Sequence, residues 1–414
     1  MTDQRPPTPL DRADVRVRED AGLGGTVRAF FDRVRSGDLG SLPVVIGLIV
    51  IWTVFTSLNP VFVTPNNLVN LLFDCSTTGI IALGVVCVLT LGEIDLSVGS
   101  MSGLASAILG VLWVNQGFPV PVAVLAVLAV GAVTGSVYAM LLNRLGMPSF
   151  VSTLAGLLAL LGLQLYLLGS SGSINLPYGS WVVAFGQLLI MPRWLSYSLS
   201  VLPGIAILWF GIGAAARRRA ANLSAPSTAR LVTKAAVITL IIVLAVHYLN
   251  LGRGVPWMFG LFVALVVAMD YALTRTKWGR SMFAVGGNRE AARRAGINVR
   301  RIYMSAFMLC SMFAALGGTL AAARLASSSQ QAGTGDVNLN AIAAAVIGGT
   351  SLFGGRGSAY SALLGIIVIQ SIANGLTLLN LSSSLRYMIT GAVLAIAVIV
   401  DSLARQSRAA HGRA

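Results

Sequence analysis

Residues 255–274, VPWMFGLFVALVVAMDYALT, form a 20-residue run with a single charge, Asp270. The next 27 residues, RTKWGRSMFAVGGNREAARRAGINVRR (275–301), are crowded with Lys and Arg, and a second apolar run, YMSAFMLCSMFAALGGTLAAA, follows over 303–323. A bilayer core about 30 Å thick needs about 20 apolar residues per crossing helix. The pattern is two membrane spans joined by a basic loop. Working outward, similar runs recur at 42–58, 68–91, 98–115, 119–143, 149–169, 195–214, 232–250, 338–354, 358–380 and 385–402. The expectation is an all-α, polytopic transmembrane helical bundle of about 12 spans, with 10 to 14 possible. The weakest are 68–91, which contains Asp74, and 338–354, which is short and rich in Gly and Ala.

Composition agrees. Hydrophobic residues make up 56% of the 414 and charged residues 10%, against roughly 45–50% and 25% in soluble domains. The net charge of +15 does not indicate nucleic acid, because the basic residues sit between apolar runs and form no aromatic-interleaved soluble surface. Basic residues favour the cytoplasmic side of a membrane. With the N-terminus inside, only Arg193, Arg253, Arg324 and Arg386 fall outside, so 18 of the 22 basic residues after position 41 are cytoplasmic. Both termini are then cytoplasmic.

Residues 1–41 read as a cytoplasmic tail. Within it Val27, Phe30, Phe31 and Val34 fall at helical spacing, so 25–37 suits a short interfacial helix or the frayed start of the first span. The transmembrane domain runs over 42–405, and 406–414 is a second cytoplasmic tail. Cys75, Cys87 and Cys310 are scattered among apolar runs and offer neither a disulfide framework nor metal-ligand spacing.

Catalytic chemistry has no visible home. There are two histidines, His247 and His411, and no Cys/His/acid cluster to hold a metal. The only lysines, Lys234 and Lys277, each follow Thr, whereas a phosphate-binding P-loop needs Gly-Lys. The expectation is no catalytic residue, no metal, and no cofactor bound by this chain.

Three polar segments stand out. Glu93, Asp95 and Ser97 lie in LGEIDLSVGS (91–100) between apolar runs. Carboxylates there either line or gate a solute path, or Asp95 and Ser97 cap a helix start. In the 275–302 loop, Asn288 suits the cap of a short helix over 289–295, Glu290 its first turn and Gly296 its exit. That helix, about 10 Å long, suits docking in a partner's groove, and a solvated basic linker is the alternative. Asp336, in QQAGTGDVNLN (330–340), lies in an outward-facing loop that either meets a solute-delivery protein or is simply solvated. Gln370, Ser371 and Asn374 are expected to share part of one helix face, toward a cavity or a neighbouring helix.

These residues carry a resemblance. GEIDLSVGS at 92–100, AVGGNREAARRAGIN at 284–298, DVNLNAIAAAVIGGTSLFGGRGS at 336–358 and ITGAVLAIAVIVDSLAR at 389–405 are similar to signatures of the permease subunits of ribose- and xylose-type ABC importers. The likeness covers residues 45–405, and the long middle section, about 170–250, resembles the xylose-type branch. It implies a subunit of a bacterial cytoplasmic (inner) membrane importer that translocates a xylose- or ribose-like monosaccharide. ATP and Mg would sit on a separate cytoplasmic ATPase with tandem domains, docked on the loop through Asn288, Glu290, Ala291, Arg293 and Gly296. An extracytoplasmic sugar-binding protein, met at Asp336, and a second permease chain complete the partners. Glu93, Asp95, Ser97, Gln370 and Asn374 would belong to the path or its gate. The alternatives are a permease for a nucleoside or branched-chain amino acid, or an ion-coupled secondary transporter.

Overall fold

The computed structural model describes residues 42–382 and 384–392, with 395 and 399. The expected interfacial helix at 25–37, both tails and much of the expected last span lie outside the described residues. The chain falls into two compact units, Met191–Val255 and a larger one built from the segments on either side of it.

The larger unit begins with α1 (Leu42–Leu58), α2 (Pro65–Thr90), α3 (Val98–Gly110), α4 (Val120–Leu145) and α5 (Ser149–Leu168), then strand β1 (Ser173–Asn175) and α6 (Trp181–Gln187). It resumes with α9 (Trp257–Arg275), α10 (Lys277–Gly287), α11 (Arg289–Arg294), α12 (Val299–Leu325), strand β2 (Ser327–Ser329), α13 (Val337–Ile347) and α14 (Ala359–Leu378). A further helical stretch covers 384–392. The smaller unit is the hairpin α7 (Arg193–Ala220) and α8 (Thr228–Asn250). Among the described residues, nine helices are long and apolar enough to cross a membrane, and each corresponds to an expected span. α1, at 17 residues, falls just short of that length.

α2 is the axis of the larger unit. It is buried along most of its length and packs against α12, α13, α14 and α9. Lipid tails are as apolar as a leucine, so close packing has to hold such helices together. Glycine permits it: a Cβ on Gly365 of α14 would overlap the carbonyl oxygen of Ala344 in α13, and one on Gly135 of α4 would overlap that of Phe307 in α12.

The stretch expected to span at 338–354 is helical only over Val337–Ile347. Eleven residues rise about 16 Å, roughly half of a hydrocarbon core. The shortfall lies at 348–354, where Gly349 takes φ +107° and Gly354 φ +80° and Thr350 N donates back to Ala345 O at 3.0 Å. Before α13, residues 327–336 run antiparallel along α3 without being helical. Ser328 Oγ donates to Ser106 O at 2.6 Å, Gly333 lies against Gly99, and Asn338 Nδ2 donates to Leu96 O at 2.7 Å. Non-helical backbone survives at membrane depth only where protein satisfies it. β1 pairs with β2, with Ile174 opposite Ser328. The fully buried Gln164 of α5 donates through Nε2 to Ser329 O at 2.9 Å and Ala332 O at 3.0 Å.

Substituting Gly365→Leu should therefore force α13 and α14 apart. Overpacking costs about 1–3 kcal/mol or more, so the variant should show a lowered thermal midpoint and yield in detergent. Wild-type melting would contradict this packing.

Candidate functional site

The short helix α11 is built by local rules. Asn288 ends α10, its N–H donating to Ala284 O at 3.0 Å, and begins α11, its Oδ1 accepting from Ala291 N at 2.9 Å. Glu290 sits in the first turn and pairs with Arg293 at 3.1 Å. Gly296 takes φ +82°, a left-handed exit that favours glycine. Ala292 alone in α11 is buried, and Asn288, Glu290, Ala291, Arg293 and Gly296 are all exposed. The helix presents its outer surface to whatever lies beyond, and a surface ion pair such as Glu290–Arg293 adds little stability.

α11 is tied inward at two places. Through α10 it reaches Gly286, where a Cβ would overlap Thr90 O at the end of α2. That carbonyl also accepts from Gly355 N at 2.9 Å. Gly354 in turn lies against Gly286 and Gly92. The segments GEIDLSVGS, AVGGNREAARRAGIN and the glycine-rich end of the 336–358 motif thus meet at one junction, where three backbones approach more closely than side chains would allow. The second tie is a relay. The Arg289 guanidinium lies over the Tyr303 ring at 5.1 Å, and Tyr303 lies within the electrostatic reach of Glu93.

Beyond Glu93 the turn is buried. Asp95 is fully enclosed, and its Oδ1 accepts from Ser97 N at 2.8 Å and Ser97 Oγ at 2.7 Å. Leu96 N donates to Thr153 Oγ1 at 3.1 Å, and Leu96 O is taken by Asn338. Burial pushes the Asp95 carboxyl above the usual carboxylate range, opposed by the hydrogen bonds from Ser97. Asp95 and Ser97 hold the start of α3 together, and neither side chain lies open to a solute.

A third arrangement joins Gln370 and Asn374, expected from the sequence, to residues that the sequence did not single out as partners. Along α2, Asn67, Asp74 and Thr78 face α14 and α12. Asn67 and Asn374 exchange amide hydrogen bonds at 2.8 and 3.1 Å. Gln370 Nε2 donates to Thr78 Oγ1 at 3.3 Å and to Asp74 O at 3.5 Å. Asp74 Oδ1 accepts from Arg324 Nε at 2.9 Å, and the same guanidinium lies 5.0 Å from the Phe73 ring centre. Gln187 holds the backbone of Arg324. The Asp74 side chain stays 41% exposed and that of Arg324 20%. This is a half-open polar strip carrying an ion pair, a costly arrangement among membrane helices.

One expectation needs correction. Ser371 does not share the face of Gln370 and Asn374, because it is buried and accepts from Trp52 Nε1 at 3.0 Å on α1. Asp336 lies half-buried just before α13, and its Oδ2 accepts from Asn340 Nδ2 at 3.0 Å. Among the described residues no group of His, Cys, Asp and Glu side chains is placed to hold a metal ion.

A model of the family described as "Branched-chain amino acid transport system / permease component" matches residues 67–398. The chain is 33% identical to the xylose transport system permease protein XylH of Escherichia coli (strain K12), over 91% of this chain and 95% of that one. It is 33% identical to XylH of Haemophilus influenzae, over 89% and 98%. The ribose import permease protein RbsC of Escherichia coli (strain K12) is 32% identical over 86% and 92%. No solved structure matches. The resemblance to ribose- and xylose-type permeases, with the xylose branch favoured, agrees with these relatives.

Removing the arginine with Arg324→Gln should strand the Asp74 carboxylate. The loss should be about 1–2 kcal/mol, below the 3–5 of a fully enclosed pair, and Asp74→Asn in the same chain should restore part of it; a double variant no more stable than the single, by thermal melting in detergent, would contradict the pairing. Asp95→Ala leaves the Ser97 donors unpaired, at about 1–3 kcal/mol. Asp95→Asn keeps an acceptor and should melt closer to wild type than the alanine variant.

Proposed function

Since this chain belongs to the permease-component family of branched-chain amino acid transport systems, we propose that it is the membrane-spanning subunit of an ABC importer in the bacterial cytoplasmic membrane, passing a monosaccharide of the xylose or ribose kind. The sugar assignment is supported by relatives named for xylose and ribose transport that align over nearly their whole length. ATP and Mg belong to a separate ATPase, since neither Lys234 nor Lys277 follows a glycine.

The observation that carries this reading is the junction of Thr90, Gly286 and Gly354–Gly355, together with the exposed α11 attached to it. A force applied to α11 by an ATPase reaches the end of α2 through Gly286 and reaches α12 through Arg289 and Tyr303. α2 and α12 bear Asp74 and Arg324, so displacing them alters the polar strip. Asn67, Asp74, Gln370 and Asn374 offer a succession of amide and carboxylate groups suited to the hydroxyls of a sugar. The strip is open on one side, and a second copy of this chain supplies the facing wall. An extracytoplasmic binding protein delivers the sugar, so the path needs to pass the solute rather than select it. Asp95 and Ser97 act by holding the start of α3, and Asp336 remains the point proposed for contact with the binding protein.

Glu290→Arg tests the coupling. It places a cation in the first turn of α11, where the helix end favours an anion, and destroys the pair with Arg293. ATP-driven uptake should fall at least tenfold, with less ATPase co-purifying and with unchanged membrane yield. Uptake at the wild-type rate would remove α11 from the mechanism.

A further inference from the structure

The α7–α8 hairpin has a site that the transport reading leaves unused. α7 has 28 residues and so is about 42 Å long. That matches a bilayer with its headgroup layers, about 40–45 Å. One end of the hairpin carries Arg217, Arg218, Arg219, Arg230 and Lys234. The other carries Arg193 and Trp194 at the start of α7 and His247 and Tyr248 in the last turn of α8. Between them Leu202, Ile205, Trp209, Leu240, Ile241 and Leu244 are exposed and apolar. Both charged ends therefore fall at headgroup depth.

At the Arg193 end the two helices form a cavity of about 230 Å³, lined by Arg193, Tyr197, His247, Asn250 and Leu251. At roughly 30 Å³ per water molecule, this holds a phosphate group and the atoms next to it. Tyr197 Oη and His247 Nδ1 lie 2.9 Å apart. With the phenol donating to Nδ1, the ring carries its proton on Nε2, which is then a donor. The buried Asn250 donates to Ser196 Oγ at 3.1 Å and fixes the cavity wall. No Asp or Glu occurs anywhere in 191–255. The hairpin therefore contains no carboxylate to neutralise Arg193, and the cavity collects a guanidinium and donors with no counter-charge.

We infer that this cavity is an anion site for a phosphate ester, and that the headgroup of an anionic phospholipid supplies it. Arg193 gives the fork of donors that suits phosphate oxygens. His247 and Tyr197 hold one side, and the exposed Trp194 and Tyr248 sit at the depth where amphipathic rings collect. A lipid held there would fasten the hairpin at one membrane face. The inference stands independently of the solute and of the ATPase.

The test uses the full chain purified in detergent with added phosphatidylglycerol, with retained lipid counted by native mass spectrometry. Wild type should retain lipid, and Arg193→Ala should weaken retention at least tenfold while its melting in lipid-free detergent stays unchanged. Arg217→Ala, at the opposite end, should behave as wild type. Equal retention by wild type and Arg193→Ala, or an equal loss in both variants, would overturn the site. Inorganic phosphate titrated against the same protein separates the sources. Absence of competition supports the lipid, whereas displacement of phosphatidylglycerol by millimolar phosphate keeps the anion chemistry and overturns the lipid as its source.

Discussion

The carbonyl oxygen of Thr90 holds together what the rest of the chain depends on. It ends the most buried helix of the larger unit, accepts the Gly355 N–H at 2.9 Å and has the backbone of Gly286 packed on it. In a membrane a helix end must find partners for its last carbonyls inside the protein. Here the donor comes from the turn between α13 and α14, and Gly286 of α10 packs on the same oxygen. Satisfying one backbone group thus binds three distant segments, and only residues without a Cβ can come close enough. The same constraint shapes the irregular 327–336 segment, held by Gln164 and Ser328, with Asn338 at the start of α13 just beyond it.

Much of this was readable along the chain. Nine spans follow from length and hydropathy alone, because a continuous apolar run beside basic loops leaves few alternatives. The caps of α11 were also readable, since Asn288 and Gly296 act on their immediate neighbours. The 338–354 stretch was not. Its Gly- and Ala-rich apolar sequence reads as a continuous span, and what shortens it is the left-handed turn at Gly349 and the packing of Gly354 and Gly355 against Gly286, Gly92 and Thr90. Asp74 marked its span as weak, but its partner Arg324 is 250 residues away, and no local pattern announces such a pairing. Three of the four resembling motifs meet, and their meeting point was signalled only by a glycine in each.

The arrangement separates two tasks. In the proposed cycle the exposed surface of α11 meets the ATPase, and the glycine junction with the Arg289–Tyr303 contact carries its displacement inward. The polar strip lies on the same helices that the junction grips, so one movement serves both ends of the proposed cycle. Neither task needs a catalytic group on this chain, in keeping with a family of transport permeases.

The most direct measurement is labelled xylose uptake by proteoliposomes containing this chain, its ATPase and its binding protein, compared with vesicles containing this chain alone under an ion gradient. The account expects uptake in the complete set with ATP and none in the second preparation. Uptake driven by the gradient without the ATPase would contradict it.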